Sequence, residues 1–153
     1  MPRVTRSRTI AAPPERVWEV IADPHHLPRW WPRAVRVEDV RTEDDEAIQW
    51  TTVLGTQAGA HVRADYRRTG GERGRSLAWS QGVAGTPFER ILKAAEVEIR
   101  VQPDGDGSLV TMRVSETLRG LSRLGSPMMR AAARRRLDEA LENLDTALLG
   151  SPA

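Results

Sequence analysis

From Ala34 to Leu118 the chain alternates between apolar and polar side chains with a period near two. Val35 and Val37 begin one run, and Ile48, Trp50, Thr52 and Leu54 share a face of the next. Val62, Ala64 and Tyr66 share a face of a third, with His61, Arg63, Asp65 and Arg67 opposite. Leu77, Trp79, Gln81 and Val83 follow, and then Val97, Ile99 and Val101 alternate with Glu96, Glu98 and Arg100. The stretch Pro103-Asp104-Gly105-Asp106-Gly107 returns the chain through Val110, Met112 and Val114. Asp-Gly between two alternating runs predicts a hairpin, and the glycines of residues 69–74 predict another turn. Alternation with one polar face predicts an antiparallel sheet with one side on a core. Residues 3–10 read as a further strand.

The flanks have helical spacing instead. Pro13 and Pro14 open a helix whose stripe is Val17, Val20 and Ile21. Proline is tolerated in a first turn, where its missing N–H has no intrahelical partner to lose. Asp23-Pro24 stops it, because the residue before a proline is pushed out of the α region. A second, long helix is predicted over about 127–149, capped by Ser126, with Pro127 at its first position and Gly150 as its stop. Leu141, Leu144 and Leu148 fall within roughly 40° of Leu137 on its surface. This helix is expected to lie as a lid on the sheet.

At 153 residues the chain reads as one domain, 1–153, large enough to bury a core. Charged residues make up 29%, but the net charge is only +2, and Lys93 is the one lysine among 23 cations. Near balance of this kind gives no general attraction to nucleic acid. Arg134, Arg135 and Arg136 are adjacent, so on a helix they point in different directions, and no aromatic residues interleave them. The absence of cysteine excludes disulfides, thiolate metal sites and a cysteine nucleophile. No apolar leader opens the chain. Its longest uncharged run, residues 47–62, is too short and too polar to span a membrane. The expectation is a cytoplasmic protein, monomer or homodimer.

The three histidines do not make a metal site by spacing. His25 and His26 are neighbours and diverge by about 100° on a helix, whereas zinc needs three or four convergent ligands. They belong to Asp23-Pro24-His25-His26-Leu27-Pro28-Arg29-Trp30-Trp31-Pro32, a stretch bounded and interrupted by prolines, which reads as a stiff corner. Trp30 is expected to anchor it inward, with Trp31 on the rim. No cofactor motif, phosphate loop or nucleophile elbow is present.

The element order, strand, two helices, about six strands and a long helix, together with Ile10 to Pro14, Val17-Trp18, Asp23-Pro24, and Trp30 with Pro32, resembles the START-like, helix-grip superfamily. Within it, the chain is most similar to the polyketide cyclase/dehydrase and lipid-transport branch. The resemblance implies an α+β helix-grip fold (β-α-α-β6-α), a curved antiparallel sheet of about seven strands wrapped around the C-terminal helix. It also implies a deep apolar cavity between them, and ligands such as lipids, polyketides or other apolar molecules.

Candidate ligand-binding residues follow from parity within that frame. Trp50 and Trp79 offer large apolar surfaces, each with one N–H donor, and Tyr66 adds a hydroxyl on the same face. Trp31, Met112 and Met129 complete the apolar candidates. Glu116 and Gln81 fall on the inward parity of their strands, and a buried polar group needs a partner. For Glu116 the choices are an arginine, a ligand, a raised pKa, or a wet position beyond the covered strand. On the C-terminal helix Arg130 and Arg134 lie near +20° and +60° of Leu137. There they either meet an anionic ligand group, pair with Glu116 or Glu98, or reach past apolar surface to water. No catalytic residue can be assigned. Three functions stay open: a binder of a small apolar molecule, a cyclase, aromatase or dehydratase working in the same cavity, and a protein-interaction module without ligand.

Overall fold

The computed structural model describes residues 3–56, 58–82, 92–118 and 126–149. Strand β1 (Arg3–Ile10) leads into α1 (Pro14–Ala22), a 3-10 turn (Pro24–His26) and α2 (Leu27–Trp30). Six strands follow: β2 (Ala34–Glu43), β3 (Glu46–Gly55), β4 (His61–Gly70), β5 (Ser76–Gly82), β6 (Leu92–Asp104) and β7 (Gly107–Leu118). Helix α3 (Ser126–Leu149) comes last. All the pairings are antiparallel, in the order β1-β7-β6-β5-β4-β3-β2, so the strands form a meander to which β1 is added beside β7. This is the helix-grip architecture, with the curved sheet holding α3. Val83, Gly150 and the side chain of Ser126 lie outside the described residues.

The turns have local causes. Asp44 and Asp45, at φ 52° and 63°, join β2 to β3 in the doubly left-handed conformation that suits a two-residue hairpin. Gly105 at φ 58° does the same work between Asp104 and Gly107, as the Asp-Gly spacing predicts. Gly107 has a second reason to be glycine, because a Cβ there would collide with the carbonyl oxygen of Ile10. Beside it, the Ser108 hydroxyl, fully buried, donates to the Ala12 carbonyl at 2.6 Å. The Ile10-Ala11-Ala12-Pro13 turn is therefore docked directly on the β6–β7 hairpin, which fixes where α1 starts.

Inward positions of the strands supply the core together with α1, α2 and α3. The outer face is tied by ion pairs instead, such as Glu38 with Arg36 and Arg63, and Glu98 with Arg100 and Arg113. His61, Arg63, Asp65 and Arg67 are all exposed, as their parity predicts. Two further pairs clip the lid to the sheet edge: Arg6 to Asp138 at 2.7 Å and Arg8 to Asp145 at 2.9 Å.

The proline-rich corner resolves into capping and packing. The Asp23 carboxylate accepts from the His25 backbone N–H at 3.0 Å and lies 2.9 Å from His25 Nδ1. Partial burial works to raise the Asp23 pKa, but these bonds and the nearby His26 prevail and hold it below the usual value. His26 Nδ1 contacts the Val20 carbonyl. The histidines thus serve the turn, and among the described residues no group of three or more acidic, histidine or cysteine side chains is placed to hold a metal ion.

Candidate functional site

The register of the sheet assembles the site. Trp50 pairs with Tyr66, Tyr66 with Gln81, Gln81 with Ala95, and Ala95 with Glu116. These five residues form one continuous row across β3, β4, β5, β6 and β7. The adjacent row is Trp79, Val97 and Val114. Ala95 is the small member of the first row, and it leaves space between Gln81 and Glu116. The result is a cavity of about 330 Å³, near the lower end of the range of small-molecule sites, about 300–1,000 Å³. Tyr66, Trp79, Gln81, Ala95, Val97, Val114 and Glu116 form its floor; Met129 and Arg136 of α3 form its roof. Trp31, Pro32, Arg33 and Leu54 close one end.

Its aromatic wall is continuous. Trp79 stands edge-on to Trp31, Trp50 and Tyr66, with ring centroids 5.8, 5.9 and 6.2 Å apart. Trp50 stacks on Tyr66 at 6.1 Å. Such geometries are favourable for rings beyond the area they bury. The indole N–H groups of Trp50 and Trp79 and the Gln81 amide nitrogen are buried with no acceptor among the described residues. Unsatisfied donors of this kind are uncommon in folded proteins and cost on the order of 1–3 kcal/mol each.

One corner of the cavity is polar. Glu116 accepts from Arg136 Nη2 at 3.3 Å, with the glutamate side chain 10% exposed and the arginine 36%. Burial pushes the Tyr66 hydroxyl up to about 12; the nearby Arg136 opposes this and Glu116 adds to it. Tyr66 is therefore a neutral phenol across the physiological range, able to donate or accept. The bond to Arg136 is made through Oε1 of Glu116. The corner thus combines a carboxylate, a guanidinium and a phenol in an apolar setting.

Of the residues singled out by sequence, Trp31, Tyr66, Trp79, Glu116 and Met129 line this cavity. Trp50 does not; it is buried behind Tyr66 and Trp79. Met112 is fully buried one row deeper, paired with Ile99. Trp31 is not a rim residue but is buried, because α2 ends at Trp30 and the Trp31 backbone is extended, at φ −79° and ψ 125°. The turn of direction lets Trp30, fully buried, and Trp31 both reach the core, edge to face at 5.7 Å.

Arg130 and Arg134 are exposed and are not brought to the cavity. The reason lies in how α3 crosses the sheet. Met129, Ala133, Leu137 and Leu141 follow an i+4 ridge, which rotates about 40° around the helix with each step. Towards the N-terminal end the contact therefore drifts to about −80°, where Met129 lies, and away from Arg130 and Arg134. Arg136, near −100°, is carried inward instead. A stripe drawn parallel to the axis through the leucines misses it. The i+4 relation of Met129 and Ala133 to Leu137 is the signal that finds it.

Comparison with known proteins accords with the fold. Among curated proteins none matches significantly. A START superfamily protein from Mycobacterium smegmatis superposes with a TM-score of 0.80 at 14% identity, covering 95% of this chain and 96% of that one. A protein from Thermus thermophilus gives 0.79 at 19% identity, covering 99% and 100%. The Zhui aromatase/cyclase from a Streptomyces species gives 0.76 at 20% identity, covering 95% and 92%. At these identities the likeness establishes the fold. The sequence profile described as polyketide cyclase / dehydrase and lipid transport matches residues 1–148, and the chain belongs to that family.

Proposed function

We propose that this protein binds a small, flat, largely apolar molecule in the cavity between the sheet and α3. The observation that carries this reading is the cavity itself, with an unbroken aromatic wall on one side and a polar corner on the other. Apolar surface supplies affinity in such sites, and a few convergent polar groups fix orientation. A neutral fluorescent probe such as N-phenylnaphthylamine is expected to bind with a rise in emission. Ala95→Phe, which fills the gap in the row, is expected to abolish that rise while the protein stays folded. Equal binding by the two proteins would place the probe elsewhere and remove the basis of the proposal.

A second reading, ring closure on a polyketide-like substrate, is supported by the convergence of Tyr66, Glu116 and Arg136; the family profile is described as polyketide cyclase, and the Streptomyces structure is named an aromatase/cyclase. In it the Glu116 carboxylate takes a proton from the carbon between two carbonyls, leaving an enolate held by Arg136. The enolate carbon attacks a third carbonyl further along the chain, a carbon–carbon bond forms as that C=O π bond opens to an alkoxide, and the alkoxide recovers the proton from Glu116. Turnover of a poly-β-ketone analogue that Glu116→Gln abolishes would select this reading over simple binding.

A further inference from the structure

We infer that Glu116 makes the cavity selective for neutral, hydroxyl-bearing aromatic ligands and against carboxylates. This rests on the reading of the cavity as a ligand site. The argument begins from charge. Arg136 is the cation that lines the cavity from α3, and its charge is already matched by Glu116 at 3.3 Å. The glutamate is the more deeply buried partner, and the arginine is partly turned to solvent. An anionic ligand entering beside the aromatic wall therefore meets a carboxylate in a weakly screened setting, where like charges repel strongly.

Hydrogen bonding points the same way. Arg136 bonds Oε1 of Glu116, and the carboxylate offers its second oxygen as a further acceptor. A phenolic hydroxyl satisfies it with a charge-assisted bond. A ligand carboxylate brings only further acceptors. Tyr66, in the same row and neutral, offers the ligand a further donor or acceptor along the cavity floor. Two further charged residues border the cavity, Arg33 and Glu96; both are exposed and their charges are opposite, so they add no net charge to it.

Isothermal titration calorimetry at neutral pH with three ligands of matched size tests this: naphthalene, 2-naphthol and 2-naphthoate. The wild-type protein is expected to bind naphthol at least about tenfold more tightly than naphthoate. Glu116→Gln, which leaves Arg136 uncompensated, is expected to reverse the order. Wild-type binding of naphthoate as tightly as naphthol would overturn the inference, and if naphthalene still bound, the cavity reading would stand. Failure of all three to bind would overturn both. Should Glu116→Gln not fold, the wild-type ratio alone decides.

Discussion

Tyr66 is the single tyrosine of the chain, so its ionisation can be followed by ultraviolet difference absorbance without interference from another phenol. Its folded value of about 12 exceeds the ordinary 10.0 because burial disfavours the phenolate. The unfolded chain therefore loses this proton first as pH rises. The associated stability is complete below pH 10.0 and is lost between there and about 12. The loss over that window is roughly 2–3 kcal/mol. Urea unfolding at a series of alkaline pH values is expected to show this decline in the wild type and a smaller one in Tyr66→Phe. A tyrosinate transition near 10 in the folded protein would contradict the burial argument.

The two adjacent tryptophans divide by their surroundings. Trp30 is fully buried against the core, and its carbonyl accepts from Asn143 of α3 at 3.4 Å. Trp30→Ala leaves a large void and is expected to cost about 3–5 kcal/mol in denaturant unfolding. Trp31 borders a cavity that already exists, so Trp31→Ala is expected to cost less and to weaken ligand binding. Equal destabilisation with unchanged binding would show that Trp31 is core alone.

At the scale of elements, the hairpin at 104–107 does more than reverse the chain. Gly107 lies against Ile10 and Ser108 is bonded to Ala12, so β7 holds the β1–α1 turn in place. Gly107→Ala must displace that turn and is expected to destabilise by about 1–3 kcal/mol. Gly105→Ala strains only the exposed loop. Thermal melts of the two variants separate the effects, and a loss at Gly107 no larger than at Gly105 would refute the docking role.

This scale also shows what the sequence made legible. Strand parity is local and exact to one residue, so Tyr66, Trp79 and Glu116 could be placed inward without coordinates. The hairpins were marked by glycine at 105 and left unmarked at Asp44-Asp45, where aspartates take the left-handed conformation. The register shift between the Ala34–Leu54 and Arg36–Val53 pairs, which leaves Val35 exposed, has no sequence signature. The facing of α3 was the hardest feature to read. It depends on the angle at which a helix crosses a twisted sheet, a property of the assembled pair. That angle exchanges Arg130 and Arg134 for Arg136.

For the molecule as a whole, the lid is held over the cavity by the leucines of α3 and by partly exposed ion pairs to β1. None of the helices among the described residues is long and apolar enough to cross a membrane. The central claim is that the space under α3 is a ligand site. Native mass spectrometry of protein purified from its own cells, beside Ala95→Phe prepared identically, tests it most directly. The account predicts a non-covalent small-molecule adduct on the wild type and its loss from the folded variant. An adduct retained by Ala95→Phe, or a wild-type protein that stays bare and takes up no apolar compound offered to it, would contradict it.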